Sequence, residues 1–242
     1  MRSDSLTVPA VPPTETLTVS SSRAAERLTG AVMIAYAVAV AAHVFTRTAS
    51  TARDVPFPQY LETLASNYQL YIASTAASLV SSILLILLAA GLWHTFRACH
   101  PYAVLAGSFL FLAAAITWLV SAASGLALAA LARDFVAVSG IPADIMAGSA
   151  LAVEFLRETT GRTGFTLAAL GLLTLAGLIA WKGALPRWLG WLGVAVGLMM
   201  LFIWVNDAAA LHRIGGAGYL LWLLTAGAWL VVRCGRLPRA SP

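Results

Sequence analysis

From about residue 29 onward, long uncharged apolar stretches alternate with polar connections. Six stretches stand out, at residues 29–45, 70–96, 102–131, 163–181, 188–206 and 214–232. Each reaches or approaches the ~20 residues that, at 1.5 Å rise per residue, cross a ~30 Å hydrocarbon core. Lipid offers no water to bond backbone amides, so each stretch predicts a helix and not a strand. The predicted fold class is an all-α membrane protein, a bundle of six transmembrane helices. The third stretch is too long for a perpendicular crossing and must tilt or project.

The connections sharpen the topology. Residues 97–101 and 182–187 are short turns containing Pro101 and Pro186, so the helices they join are antiparallel neighbours. Residues 46–69 and 132–162 form two long links on the opposite face. In the second link, Ile141-Pro142-Ala143-Asp144 reads as a helix start with proline in its first turn. From there to Glu158, Ile145, Gly148, Ala152 and Phe155 fall on one face, with Asp144, Glu154 and Glu158 on another. This predicts an additional amphipathic helix in the long outer loop between helices three and four, interfacial or re-entrant. Residues 1–22, rich in Ser, Thr and Pro and without a signal-peptide core, read as a disordered cytoplasmic tail. Residues 23–237 then form the transmembrane domain, and 238–242 a short cytoplasmic tail.

Composition agrees with the pattern. Of 242 residues 60% are hydrophobic and 10% charged, against about 25% charged in a soluble domain. So few charges cannot cover the surface of a water-soluble fold. The formal charge is +5, but the basic residues cluster at the ends of apolar stretches, so the expected partner is the anionic face of a bilayer and not nucleic acid. Sorted by side, nine of the fifteen basic residues share the face of the termini; the other six face seven acids. A basic excess marks the cytoplasm, which predicts cytoplasmic termini. Trp93, Trp181, Trp188, Trp191 and Trp229 fall near the same ends, at the headgroup depth tryptophan favours. Arginine supplies fourteen of the fifteen basic side chains and alanine is abundant, as in a GC-rich bacterial genome. The predicted location is a bacterial plasma (inner) membrane. Cys99 and Cys234 are too few and too distant for a disulfide framework or a zinc ribbon.

Candidate chemistry is sparse. Between their flanking charges the six stretches hold two ionisable groups, His43 near an outer end and His94 at an inner end. Pumps, ion-coupled transporters and voltage sensors place charge inside the membrane, so this scarcity argues against them. Ser74, Thr75, Ser78, Ser81 and Ser82 in the second stretch, Thr117, Ser121, Ser124 and Gly125 in the third, and Gly190, Gly193 and Gly197 in the fifth predict close helix packing. The sharper alternative is a polar path for a small solute along Ser74, Ser78, Thr117 and Ser121. His43, Asn206, Asp207 and His212 are polar candidates at the outer rim, with Glu62, Asp134 and Glu154 in the links. Histidines with carboxylates can hold zinc and activate water, yet no HExxH or comparable spacing occurs. No catalytic residue and no metal ligand is therefore assigned. Walker, dinucleotide, serine-elbow and CxxC motifs are also missing, so no cofactor is expected.

Several segments carry a resemblance. The first helix is entered through Arg-Ala-Ala-Glu-Arg-Leu-Thr-Gly at residues 23–30, and two long outer links alternate with short inner turns. The fifth helix opens with Gly183-Ala184-Leu185-Pro186-Arg187-Trp188-Leu189-Gly190-Trp191-Leu192-Gly193. Over residues 23–237 this architecture resembles the bacterial membrane proteins grouped as domain of unknown function 4386. The resemblance implies a six-helix integral membrane protein and supplies no catalytic residues. The expected function is non-enzymatic binding of lipid, a partner protein or a small apolar ligand. A facilitative transporter of a neutral or hydrophobic solute is the alternative, and a membrane-embedded metal-dependent hydrolase the third reading. Ligand identity, a membrane-protein partner or homo-oligomer, and re-entry of residues 143–158 stay open.

Overall fold

Each apolar stretch is helical, and most helices run beyond their uncharged cores. The computed structural model describes residues 15–52, 55–183, 185–205 and 209–233. In chain order the elements are α1 (Glu15–Ser50), α2 (Phe57–Ser66), α3 (Tyr68–Phe96), α4 (Pro101–Phe135), α5 (Ile141–Lys182), α6 (Arg187–Met200) and α7 (Ala209–Arg233), with no strand among the described residues. Helical backbone begins at Glu15, inside the segment expected to be a tail; residues 1–14 and the carboxy-terminal segment 238–242 lie outside the described residues. All but α2 are long and apolar enough to cross a membrane, so the chain is a multi-pass membrane protein in contact with lipid. Leu28, Val38, Ile83, Leu87, Phe109, Ile116 and Leu221 are exposed, the arrangement expected when the solvent around a helix is hydrocarbon.

The spanning helices pack as a ring, in the order α1, α3, α4, α5, α6, α7 and back to α1. We call the side holding the start of α1 and the end of α7 the terminal face, and the opposite side the distal face. Local chemistry sets the turns at the terminal face. His100 caps α4 by accepting the Ala103 amide at 3.2 Å, with Pro101 in the first turn. Gly183 ends α5 in the left-handed region at φ 70°, its amide bonding the Ile179 carbonyl, a conformation a side chain would oppose. The short α6 continues into a 3-10 turn, Leu201–Trp204. That tighter helix rises about 2.0 Å per residue against 1.5 Å, so its 18-residue span reaches about 29 Å, enough for the hydrocarbon core.

The distal side departs from the sequence expectation. Residues 143–158 are helical, but they are the first part of α5, whose 42 residues are continuous and rise about 63 Å. No interfacial helix stands apart in the second link; the additional helix is α2, in the first. No proline interrupts residues 143–182, and Glu154–Arg157 and Glu158–Arg162 pairs at helical spacing carry the helix across the expected break. Its orientation is also the reverse of a helix turning its apolar stripe to the bundle. Ile145, Gly148, Ala152 and Phe155 are all exposed, while Ala150 is buried and Glu154 turns inward. The 35-residue α4 resolves its own excess length by projecting beside α5. Leu128, Ala129 and Ala132 of α4 and Ala150 of α5 meet Leu61 and Leu64 of α2 and Tyr71 of α3 in a small distal core. A much larger core, from Met33 and Tyr36 through Leu88, Phe111, Leu172 and Trp222 to Leu230, fills the terminal half.

Small residues set the helix separations. Gly190, Gly193 and Gly197 of α6 face Ala180, Ala176 and Leu173 of α5, so one side of α6 lies against its neighbour's backbone. The ring closes where Gly30 of α1 meets Gly227 of α7. A methyl on either would sit 2.6–2.7 Å from the other's carbonyl oxygen. Backbone cannot yield as a flexible side-chain tip can, so substitution there forces the helices apart. Gly227→Leu is expected to lower the unfolding midpoint in mild detergent, by about 2 kcal/mol or more of stability, whereas Gly177→Ala, where nothing lies within 4 Å, should be neutral. Equal midpoints for the two variants would rule out this seam as the closure.

Candidate functional site: a graded cavity in the distal half

Between the two cores the ring does not fill. A cavity of about 700 Å³ lies among α1, α3, α4, α5 and α7, within the ~300–1,000 Å³ range of small-molecule sites. Its walls follow from helix direction. At the distal end stand Arg47, Tyr71, Gly125, Arg157, His212 and Arg213. His43, Ser74, Thr75 and Ser121 come next, and Val40, Ser78, Ser81, Trp118, Phe165, Tyr219 and Leu220 approach the terminal core. The cavity therefore passes from charged through hydroxyl-bearing to mainly apolar walls. From Tyr71 to Ser81 along α3 it spans about 15 Å.

The charged end is organised by one carboxylate. Glu154 of α5 accepts two bonds from Arg157, Nε to Oε2 and Nη2 to Oε1, each 2.6 Å. Arg47 of α1 approaches the same carboxylate at 3.7 Å and donates to the Tyr60 hydroxyl of α2 at 2.8 Å. Tyr60 in turn donates to Glu154 at 3.5 Å. Burial pushes the Tyr60 hydroxyl above its ordinary pKa, against a lowering pull from Arg47, so it keeps the proton it donates. The Arg47 guanidinium also lies 4.6 Å from the Tyr71 ring centroid, a cation–π contact. Three helices are thus tied at one point, and the charges that sequence placed in links sit on spanning helices at the head of a cavity.

Most hydroxyls in the walls are committed to the backbone. His43 Nδ1 lies 2.9 Å from the Ser74 carbonyl oxygen and 3.1 Å from its Oγ, joining α1 to α3. Ser121 donates to the Arg157 carbonyl at 2.7 Å and the Trp118 indole to the Gly161 carbonyl at 3.1 Å, joining α4 to α5. Thr117 bonds back to Ala113 and Ala114 within α4 and is not part of the lining. Other polar atoms stay unsatisfied. The Tyr71 hydroxyl and His212 Nδ1 are buried with no hydrogen-bond partner and both residues line the cavity, whereas the buried Tyr219 hydroxyl lies against that of Tyr36. Buried polar atoms nearly always find a partner, so orphans facing a cavity mark where a bound molecule or water belongs.

Two sets of residues that sequence treated separately meet here. Ser74, Ser78 and Ser121 of the polar path share the cavity with His43 and His212 of the rim. Asn206 and Asp207 lie outside the described residues. Glu62 and Asp134 are exposed and do not line it. Among the described residues no group of three or more His, Cys, Asp or Glu side chains is placed to hold a metal ion. Sequence reasoning missed Arg47, Arg157, Tyr71 and Tyr219. The available signal was the i, i+3 pairing of Glu154 and Arg157 beside an apolar run, which favours a buried ion pair over a solvated face.

The family described as Domain of unknown function (DUF4386) matches residues 28–237, nearly all of the helical bundle. No curated protein and no solved structure shows a significant match to the chain.

The Glu154 hub makes a graded prediction for unfolding in mixed micelles. Glu154→Gln leaves two guanidiniums without their carboxylate and should cost about 3 kcal/mol, the lower end for breaking a buried pair. Tyr60→Phe removes a hydroxyl that accepts from Arg47 and donates weakly to Glu154, and should cost about 1.5 kcal/mol. The reverse order would show that the hydroxyl, and not the carboxylate, holds the three helices.

Proposed function

The chain belongs to that family, and from the geometry of the distal cavity we propose that it is a non-enzymatic binding protein for a small, largely apolar ligand. The observation that carries this reading is the 700 Å³ cavity with mainly apolar lower walls and the orphan Tyr71 hydroxyl. Tyr71 is 1% exposed, so its hydroxyl loses water without gaining a protein partner. Such a loss costs about 1–3 kcal/mol per group, which a ligand oxygen would offset. The apolar lower walls suit a hydrocarbon segment. The basic excess on the terminal face supports cytoplasmic termini in a bacterial inner membrane, with the cavity toward the outside. Reporters fused to the two ends are expected to read cytoplasmic; opposite readings would overturn this orientation.

Facilitative transport is the second reading, favoured by the three path serines in the cavity wall. It requires the terminal core beneath the cavity to open, because Leu85, Leu88, Phe111 and Leu172 are fully buried there. Flux of a neutral solute into proteoliposomes would favour transport over static binding.

Ser78 is half-buried in the cavity wall, so Ser78→Trp should fill the space. Native mass spectrometry of gently extracted protein is expected to show a small bound molecule in the wild type and its loss in this variant. A wild type that carries nothing and takes up no added decanol in nanodiscs would defeat the binding reading.

A further inference from the structure

We propose that the cavity selects amphiphiles with an anionic head, a carboxylate or phosphate monoester on a single hydrocarbon chain, and that Arg47, Arg157 and Arg213 form its head-group site. This rests on the ligand-binding reading above and adds charge, polarity and direction to it.

Charge is the first argument. Three guanidiniums line the distal end of the cavity and, among the described residues, no carboxylate does. The one carboxylate nearby, Glu154, is engaged by both Arg47 and Arg157. Arg213, on α7 across the ring from α4, makes no ion pair with any described residue. Among the described residues a single negative charge thus stands against three positive ones; Arg47 and Arg157 are partly buried, where screening is weaker than in water, and Arg213 stands exposed at the rim. A cationic head would meet repulsion there, and a neutral head would leave the excess uncompensated. An anionic oxygen meets charge-assisted donors, in the fork geometry suited to carboxylate and phosphate.

The second argument is a hydrogen-bond donor left without a partner. The Tyr71 hydroxyl is a buried donor with no partner, and Arg47 lies over its own ring. A phenol donor beside a guanidinium completes the site an anionic oxygen needs. The apolar end lies on the opposite side, toward Val40, Phe165 and Leu220. At about 1.2 Å per bond of an extended chain, the ~15 Å depth takes about ten to twelve carbons. The cavity volume suits one chain, so a two-chain phospholipid would enter by its head and one tail only.

The test uses the full chain in phosphatidylcholine nanodiscs, with empty discs subtracting partition. Decanoate, decyl phosphate, decanol and decyltrimethylammonium are titrated by calorimetry. Both anions are expected to bind at least tenfold more tightly than decanol, and the cation to show no saturable binding. Arg213→Gln should lower anion affinity about tenfold, as expected for loss of one charge-assisted contact, and Arg213→Lys should restore most of it. Equal affinity for decanol and the anions, or an unchanged preference in Arg213→Gln, overturns the head-group site while the binding reading stands. No saturable binding by any probe, or binding indifferent to Ser78→Trp, overturns the binding reading itself. Adding phosphatidylglycerol to the discs separates two sources of the same chemistry. Competition with decanoate supports an anionic site filled from the bilayer, and none supports one filled by a free single-chain anion.

Discussion

A charge on a membrane helix is tolerable when another charge meets it, and Glu154 is where this chain satisfies that demand. Its carboxylate accepts two bonds from Arg157 of its own helix and draws in Arg47 from α1, with Tyr60 of α2 between them. Remove it, and the distal ends of α1 and α5 carry guanidiniums that repel one another in a poorly screened space. With it in place, α2 stays docked on the projecting halves of α4 and α5, and the cavity beneath keeps its shape. The pair is thus a positioning device as well as a neutralising one.

The cavity exists because the two halves of the bundle solve packing differently. In the terminal half, glycine and alanine let backbones touch: Gly30 against Gly227, Gly107 beside Gly171, Gly190 against Ala180. Leucines, Phe111 and Trp222 fill what remains. In the distal half, large side chains stand at the inner wall and are held by specific polar contacts: Arg47 on Tyr60, His43 on Ser74, Trp118 on Gly161. Side chains pinned to neighbouring backbones cannot collapse inward, so space remains where hydrophobic packing would otherwise close it. Charged groups at one end of that space and apolar ones at the other make it fit a molecule with the same polarity along its length.

Particular residues show how far the chain could be read. The six spans were legible because bilayer thickness and backbone satisfaction constrain each segment separately, needing no knowledge of neighbours. The glycines of α6 were legible as a contact face for the same local reason. Residues 143–158 were legible as helix but not in their attachment or facing. Helical periodicity told which residues share a stripe; it could not tell that Ala150 and Glu154 turn toward α2 and α1 while Phe155 points away. Likewise His43, Ser74 and His212 drew notice as isolated polar residues, whereas Arg47 and Arg157 passed as ordinary loop charges.

What the amino-acid order determined alone is the number, apolar cores and lipid setting of the spanning helices, since those depend on hydrophobicity summed along one segment at a time. What only the tertiary structure decided is which charges meet, which hydroxyls are left without partners and where the ring stays open. Those outcomes depend on side chains far apart in sequence, such as Arg47 with Glu154 and Ser121 with Arg157. Their distances are set by how closely the glycine seams let the helices approach, a quantity no single segment contains.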